Sequence, residues 1–235
     1  MNQDPSELRK FNAVSESWWD TNGPFRPLHD LNPVRLQWIT RHVSLKNKNI
    51  VDIGCGGGIL SESLARENAN VTGIDLAENA LETAREHSRL SGIPIRYLAI
   101  SAENLAEQET GQYDIVTCME LLEHVPDPAS VVTACAKLLK PGGHVFFATL
   151  NRNLKSLLYA IIGAEYIMRL LPKGTHHFEK FITPAELSRY IRSAGMSVTD
   201  ITGITCDLAA KNFRLSPDTG VNYMLSCKKP DQAIP

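Results

Sequence analysis

A glycine-rich segment and a later aspartate have the spacing of a nucleotide-binding turn. The pattern D-x-G-x-G-x-G lies between an apolar run and an amphipathic stretch, and its fixed residues are Asp52, Gly54, Gly56 and Gly58. Glycines at such a junction let the backbone turn tightly and approach a ligand. Asp75 follows 21 positions after Gly54, where a carboxylate can accept hydrogen bonds from both ribose hydroxyls. The pattern favours an adenosine-containing cofactor over a glycine-rich turn without a ligand.

The details of the turn discriminate between cofactors. A nicotinamide dinucleotide site requires G-x-G-x-x-G, and Ile59 stands where its third glycine belongs. The Asp52 carboxylate would repel a pyrophosphate but could accept bonds from a cationic amino-acid cofactor. The pattern resembles that of S-adenosylmethionine-dependent methyltransferases. In those enzymes the position of Glu103 holds the adenine, and Met119 could pack on its ring; a solvated surface position and simple core packing are the respective alternatives.

Three polar residues follow the fourth apolar run and could activate a hydroxyl acceptor. A phenol has a pKa of about 10, so its methylation requires a general base or a cation beside the oxygen. Glu120, Glu123 and His124 could bind a divalent cation such as Mg²⁺, or His124 could act alone as the base. Alternatively, Glu123 and His124 only begin the next loop. His176 and His177 form a second candidate base, for which an exposed polar loop is the competing interpretation.

Short apolar runs alternate with amphipathic stretches from about Lys48, which indicates alternating strands and helices. This order predicts that a doubly wound α/β fold with a mostly parallel sheet positions the candidate residues. Seven strands are predicted at 49–53, 70–74, 95–99, 113–119, 144–150, 196–202 and 221–227. Helices are predicted at 5–20, 33–43, 59–67, 77–90 and 128–139, and after Thr183, which is a good N-cap before Pro184. No crossover helix separates the last two strands, so the final strand is predicted to be antiparallel.

The chain is predicted to form one domain over residues 1–235. Its parts are an N-terminal helical cap at 1–46 that packs over the carboxyl edge of the sheet, a cofactor-binding core at 47–150, an amphipathic helical insertion at 151–182, and a C-terminal helix with the final strands at 183–235.

Composition narrows the function classes. The 24 basic and 26 acidic residues give a net charge of -2, so nucleic acid is not expected as a partner. The five cysteines are scattered without a C-x-x-C pair. The polar N-terminus lacks the features of a secretory signal, and no apolar run reaches the roughly 18 residues of a membrane span. We therefore expect a cytoplasmic protein whose membrane contact, if any, is peripheral.

Several more specific segments extend the resemblance to the ubiquinone biosynthesis O-methyltransferases. These segments are FNAV (11–14), WWD (18–20), PLH (27–29), NPVRL (32–36), CMELLEHVPDP (118–128), TLNRN (149–153), GAEYI (163–167), PKGTH (172–176) and VNYM (221–224). The resemblance spans roughly residues 9–228. It implies methylation of polyprenyl catechol or hydroxyphenol intermediates and of 3-demethylubiquinol. The segment at 206–219 departs from the family pattern.

The resemblance also implies site residues. It places cofactor contacts at Arg35, Gly54, Asp75 and Met119, and a fixed cation at Arg35 suits the methionine carboxylate. In eukaryotic relatives the equivalent Glu, Glu, His cluster is associated with magnesium. Other enzymes of ubiquinone biosynthesis are conceivable partners. Two alternatives remain open at this point: methylation of a small soluble phenol, and a non-catalytic scaffold of a quinone-biosynthesis complex.

Residues 154–171 have the periodicity of an amphipathic helix. Its apolar positions are Leu154, Leu157, Leu158, Ile161, Ala164, Met168 and Leu171, and Lys155, Tyr159, Tyr166 and Arg169 lie largely opposite. Such a helix could rest on an anionic bilayer and admit a substrate whose tail stays in lipid. The alternative is a lid that packs on the sheet. The family resemblance favours the membrane.

Overall fold

The computed structural model describes residues 2–23, 25–153, 155–156, 178–207 and 212–231. The strands are β1 Asn49–Ile53, β2 Asn70–Asp75, β3 Arg96–Ala99, β4 Tyr113–Met119, β5 Leu139–Leu150, β6 Ser197–Asp207, β7 Asn212–Ser216 and β8 Asn222–Lys228. The helices are α1 Pro5–Ala13, α2 Arg26–His42, α3 Ile59–Arg66, α4 Glu78–Ser91, α5 Ala102–Gln108, α6 Pro128–Leu138 and α7 Pro184–Ser193. Short 3₁₀ turns lie at Ser15–Ser17, Leu122–His124 and Phe178–Lys180.

The strands form one sheet in the order β3-β2-β1-β4-β5-β8-β6-β7. Strands β1 to β5 pair in parallel, and β8 is antiparallel to both β5 and β6. The predicted α/β fold and the antiparallel final strand are therefore confirmed. The predicted number of seven strands is wrong, because β7 adds an eighth strand at the sheet edge beside β6.

Apolar side chains alternate between the two faces of the sheet, as the pleat of a strand requires. Val51 and Ile53 pack into a core shared with α5, α6 and α7. Ile50, which precedes Val51 in the strand, faces a second core built with α2 and α3. The sheet is thus buried on both faces, and the carboxyl ends of the parallel strands open at one edge between the two layers of helices.

Several predicted boundaries are corrected. The first helix ends at Ala13 rather than near residue 20, and the second begins at Arg26, so that Pro33 lies inside it. Helix α5 was not predicted; Ser101 caps it by accepting a hydrogen bond from the Asn104 amide. Strand β5 begins at Leu139 rather than at residue 144, and its first part forms an irregularity in the pairing with β4 between Tyr113 and Ile115.

The predicted cap of the C-terminal helix is confirmed. The Thr183 hydroxyl accepts from the Glu186 amide while the Glu186 carboxylate accepts from the Thr183 amide, which completes a capping box. The amphipathic helix predicted at 154–171 lies outside the described residues apart from Lys155 and Ser156. His176 and His177 lie outside them as well. No helix in the described part of the chain combines the length and apolar character needed to cross a bilayer.

Candidate active site

The turn from β1 into α3 is held against β2 by its own backbone. Gly54, Gly56 and Gly58 have φ angles of 72°, 51° and 85°, which lie in the left-handed region that favours glycine. The amides of Gly54 and Cys55 both donate to the Ile74 carbonyl, at 2.8 and 3.0 Å. The predicted glycine pattern therefore forms a sharp turn at the carboxyl end of β1.

Asp75 closes β2 beside this turn. Its carboxylate accepts hydrogen bonds from the Gly56 amide and the Ala77 amide, both at 2.8 Å. Burial raises the pKa of Asp75, and the amide donors act in the opposite direction by favouring the charged form. A carboxylate has about four acceptor positions, so two amide donors leave capacity for ribose hydroxyls. The structure brings the predicted Gly56 and Asp75 together.

Asp52, just before the turn, has a structural role that its sequence position did not reveal. The side chain is buried, and its two oxygens accept from the hydroxyls of Ser61 and Thr117, each at 2.7 Å. Burial raises the pKa of Asp52, while these hydroxyls and the charge of Arg35 counteract the effect. Asp52 thereby ties β1 to α3 and β4 beneath the glycine turn.

Arg35 carries a buried positive charge from α2 to the same edge. Only 6% of the residue is exposed, and its Nη2 lies 3.3 Å from Oε1 of Glu120. Its Nε has no hydrogen-bond partner in the described part of the chain. A buried guanidinium with a donor to spare is a favourable environment for a carboxylate ligand. This feature fits the methionine carboxylate of S-adenosylmethionine.

Glu120 connects the Arg35 charge to the end of β4. It has a φ of 56°, which is uncommon for a residue other than glycine and is found preferentially at functional sites. Its amide donates to the Ala148 carbonyl, and its Oε1 also accepts from Asn222 Nδ2 at 3.3 Å. Glu120 is thus oriented toward Arg35 and β8.

Glu123 and His124 lie on the 3₁₀ turn that follows β4, but they have different partners. Glu123 is buried and accepts from the Thr149 hydroxyl at 2.8 Å; burial and the nearby Glu120 charge raise its pKa. His124 Nδ1 lies 2.8 Å from Oε2 of Glu7. Burial alone would lower the His124 pKa, but the bond to Glu7 and the nearby carboxylates outweigh it, so the net shift is upward.

The three side chains of the predicted metal site do not converge. Glu120 contacts Arg35, Glu123 contacts Thr149, and His124 contacts Glu7. In the described ranges, no group of three or more His, Cys, Asp or Glu side chains is arranged to hold a metal ion. The donor set in this arrangement does not fit Mg²⁺.

Glu103 and Met119, the other two predicted cofactor residues, have protein partners. Glu103 lies in the first turn of α5, and its Oε1 accepts from Asn2 Nδ2 and from the Ser130 hydroxyl, both at 2.9 Å. Met119 ends β4 and is buried in the core shared with α2 and α3. Neither residue is a free surface side chain.

The N-terminal segment contributes contacts that the motif analysis missed. The ring of Trp18 packs so closely on Gly56 and Gly57 that a Cβ at either glycine would overlap it. The Trp19 indole donates to the Gly57 carbonyl at 2.9 Å. The signal in the sequence was the pair of adjacent tryptophans, large apolar residues in an otherwise polar segment. These two tryptophans lie in the segment between α1 and α2, and this segment covers the glycine turn.

Comparison with solved structures supports the fold. A magnesium protoporphyrin IX methyltransferase from Synechocystis PCC 6803, with bound SAH, aligns with a TM-score of 0.66 at 17% identity, covering 95% of this chain and 93% of that one. A possible histamine N-methyltransferase from Thermotoga maritima aligns with a TM-score of 0.67 at 16% identity, covering 95% and 99%. At these identities the likeness shows a methyltransferase fold alone.

Sequence comparison is more specific. A family model described as a methyltransferase domain matches residues 29–201. A ubiquinone biosynthesis O-methyltransferase of Burkholderia thailandensis is 59% identical over 228 residues, covering 97% of this chain and 98% of that protein. One of Paraburkholderia phymatum is 56% identical over the same shares. The chain therefore belongs to the ubiquinone biosynthesis O-methyltransferases, a family of S-adenosylmethionine-dependent enzymes.

Proposed function

We propose that this enzyme methylates phenolic hydroxyls of polyprenyl catechol or hydroxyphenol intermediates and of 3-demethylubiquinol. One observation carries the proposal: the glycine turn, the buried Arg35 guanidinium and the carboxylate-bonded His124 all lie at the carboxyl edge of one sheet. This edge is where open α/β sheets bind ligands. The names of the 59% identical relatives support the acceptor class.

The cofactor would be held by residues that the turn and α2 position. Arg35 offers its guanidinium to the methionine carboxylate, Asp75 accepts from the ribose hydroxyls, and the backbone of Gly54 and Gly56 allows close approach. S-adenosylmethionine supplies an electrophilic methyl group bound to a sulfonium. Glu103 and Met119 would border the adenine while keeping the contacts described above.

His124 is the residue that we assign as general base. The neutral imidazole of His124 can take the proton of a phenol as the oxygen becomes the nucleophile, and the carboxylates that raise its pKa make it a stronger base. Glu120 would hold the Arg35 guanidinium in place. Glu123 would stabilise the imidazolium that forms on His124 by placing a negative charge next to it. A magnesium-assisted route would require Glu120, Glu123 and His124 to exchange their present partners for the ion.

Two other functions are alternatives to methylation of a polyprenylated phenol. Methylation of a small soluble phenol would use the same cofactor and base but would not need the apolar stripe at 154–171. A non-catalytic scaffold that binds the cofactor would use Arg35 in the same way but would not need a base. Such a scaffold would tolerate Glu123→Ala and His124→Ala without accumulation of the unmethylated quinol.

The acceptor and the metal requirement can be tested together. We expect purified enzyme to transfer the labelled methyl group from S-adenosylmethionine to a short-tailed 3-demethylubiquinol and to a polyprenyl catechol. A chelator should change each rate by no more than about twofold, because His124 suffices as base. Product formation is measured by extraction and chromatography. Activity lost with chelator and restored by Mg²⁺ would instead require a rearranged metal site, and no product on either acceptor would contradict the proposed function.

Cofactor binding depends on Arg35. We expect Arg35→Met to weaken S-adenosylmethionine binding by about 10- to 100-fold, the usual loss when a charge-assisted contact to a carboxylate is removed. Isothermal titration calorimetry measures the dissociation constant. Arg41→Met is the matched control, because Arg41 is exposed in the last turn of the same helix. Equal binding by the Arg35 variant and wild type would remove Arg35 from the cofactor site.

Turnover depends on His124. We expect His124→Gln to lower kcat by at least about 100-fold while the cofactor dissociation constant changes little, because a general base contributes to the chemical step. His42→Gln is the matched control: His42 also pairs with a carboxylate, that of Asp200, but its ring lies against Phe146 in the middle of β5. A similar kcat for the two histidine variants would exclude His124 as the base.

We also propose that residues 154–171 contact the inner face of an anionic membrane, where a polyprenyl tail would remain in the bilayer. The apolar stripe supports this proposal. We expect wild type to float with vesicles of phosphatidylglycerol and phosphatidylethanolamine, and the double variant Leu158→Asp and Ile161→Asp to lose most of the bound fraction. Tyr166→Ser, opposite the stripe, is the control. Equal flotation of all three proteins would contradict membrane contact through the stripe.

A further inference from the structure

We infer that Glu7 is a positioning residue for the reaction: its carboxylate, carried across the site by the N-terminal helix, fixes the ring and the tautomer of His124. The inference rests on the proposed function, because it assigns a partner to the base proposed above. It adds a residue that lies well outside the glycine motif and outside the segment around His124.

The contact has the geometry of a histidine held by a carboxylate. Glu7 Oε2 lies 2.8 Å from His124 Nδ1, although the two residues are 117 positions apart in the chain. Only 7% of the Glu7 side chain and 15% of the His124 side chain are exposed. An ion pair shielded from water in this way is weakened little by salt or by competing water molecules. The arrangement is therefore more than a surface ion pair.

The chemistry of the contact determines where the imidazole proton resides. An ionised carboxylate can only accept hydrogen bonds, so a neutral His124 must carry its proton on Nδ1 to bond with Glu7. Nε2 then carries the lone pair that can take a proton from an acceptor hydroxyl. The imidazolium formed in that step donates from Nδ1 to a negative charge. This is the role of the aspartate that orients the histidine in serine protease triads.

The position of Glu7 is set by contacts that do not involve His124. Before α1, Asn2 Nδ2 donates to Glu103 and to the Asp127 carbonyl, and Asp4 pairs with Lys180 at 3.0 Å. At the other end of α1, the side-chain oxygen of Asn12 accepts from an amide in the first turn of α4 at 3.2 Å. The helix is thus fastened at both ends across the carboxyl edge.

Three acidic groups of the described residues act on His124: Glu7 from α1, Glu123 from the same 3₁₀ turn, and Glu120, which directly follows β4. Each of them favours the protonated imidazole, but Glu120 is turned toward Arg35 and Glu123 toward Thr149. The bond from Glu7 acts on the ring nitrogen itself and therefore orients the ring directly.

The test compares Glu7→Gln, Glu7→Ala and Asp20→Asn. Glutamine retains an oxygen acceptor but loses the charge, so we expect kcat to fall about 10-fold; alanine removes both, so we expect a fall of about 100-fold. The KM for S-adenosylmethionine should stay within about twofold in both. Asp20→Asn controls for the loss of one negative charge from the N-terminal segment, because Asp20 is exposed and asparagine keeps an oxygen that can accept from the Asn22 amide. Its kcat should match wild type.

Two further measurements separate positioning from a purely structural role. If Glu7 acts through His124, adding Glu7→Ala to His124→Gln should lower the residual kcat by no more than about twofold. In protein labelled with ¹⁵N-histidine, the neutral His124 ring should carry its proton on Nδ1 in wild type and shift toward Nε2 protonation in Glu7→Ala. The His124 signal is identified by its loss in His124→Gln.

Three results would overturn the inference. They are a kcat for Glu7→Ala within about twofold of wild type, an undiminished loss in the His124→Gln background, and a neutral His124 protonated on Nε2 in wild type. The ¹⁵N measurement requires no acceptor. If wild type fails to methylate the quinol, the proposed function fails while the proton position on His124 still supports or overturns the role of Glu7.

Discussion

The tight turn between β1 and α3 is the constraint on which the rest of the site depends. Three of its glycines adopt left-handed φ angles, and it is bonded to β2 through the Ile74 carbonyl and the Asp75 carboxylate. Residues with a side chain would meet two obstacles there: a strained backbone, and the rings of Trp18 and Tyr97, which occupy the space beside Gly56, Gly57 and Gly58. Glycine at these positions therefore allows both the left-handed backbone and the close packing of the two rings on the turn.

Around this turn the fold buries charges, and each buried charge restricts its neighbours. Removing one partner of a buried ion pair costs about 3 to 5 kcal/mol, so Arg35 and Glu120 constrain one another. Glu120 retains this arrangement despite a φ angle that costs roughly 1 to 3 kcal/mol in a residue other than glycine. The protein thereby keeps a cation at the edge where parallel strands end, and its Nε has no partner among the described residues, which favours an anionic part of a ligand over an apolar one.

Features of the site that depend on residues close together in the chain were predicted from the sequence, and those that depend on distant partners were not. The glycine turn, Asp75 and the Thr183 cap are short patterns whose residues meet in space because they are close in the chain or follow adjacent strands. Strand β7 was missed because Asn212, Arg214 and Ser216 interrupt its apolar residues on a sheet edge, where one side can be polar. The roles of Arg35 and Glu7 were beyond motif analysis, since each depends on a partner 85 or more residues away.

The N-terminal segment links the two halves of the site. Trp18 and Trp19 contact the glycine turn, and α1, a few residues earlier, brings Glu7 to His124. A displacement of this segment that uncovers the turn would therefore also release the imidazole, since one continuous stretch of chain makes both contacts. A base needs to be aligned only while a methyl donor is bound, and here the residues that cover the glycine turn and the carboxylate that bonds the base belong to one segment of the chain.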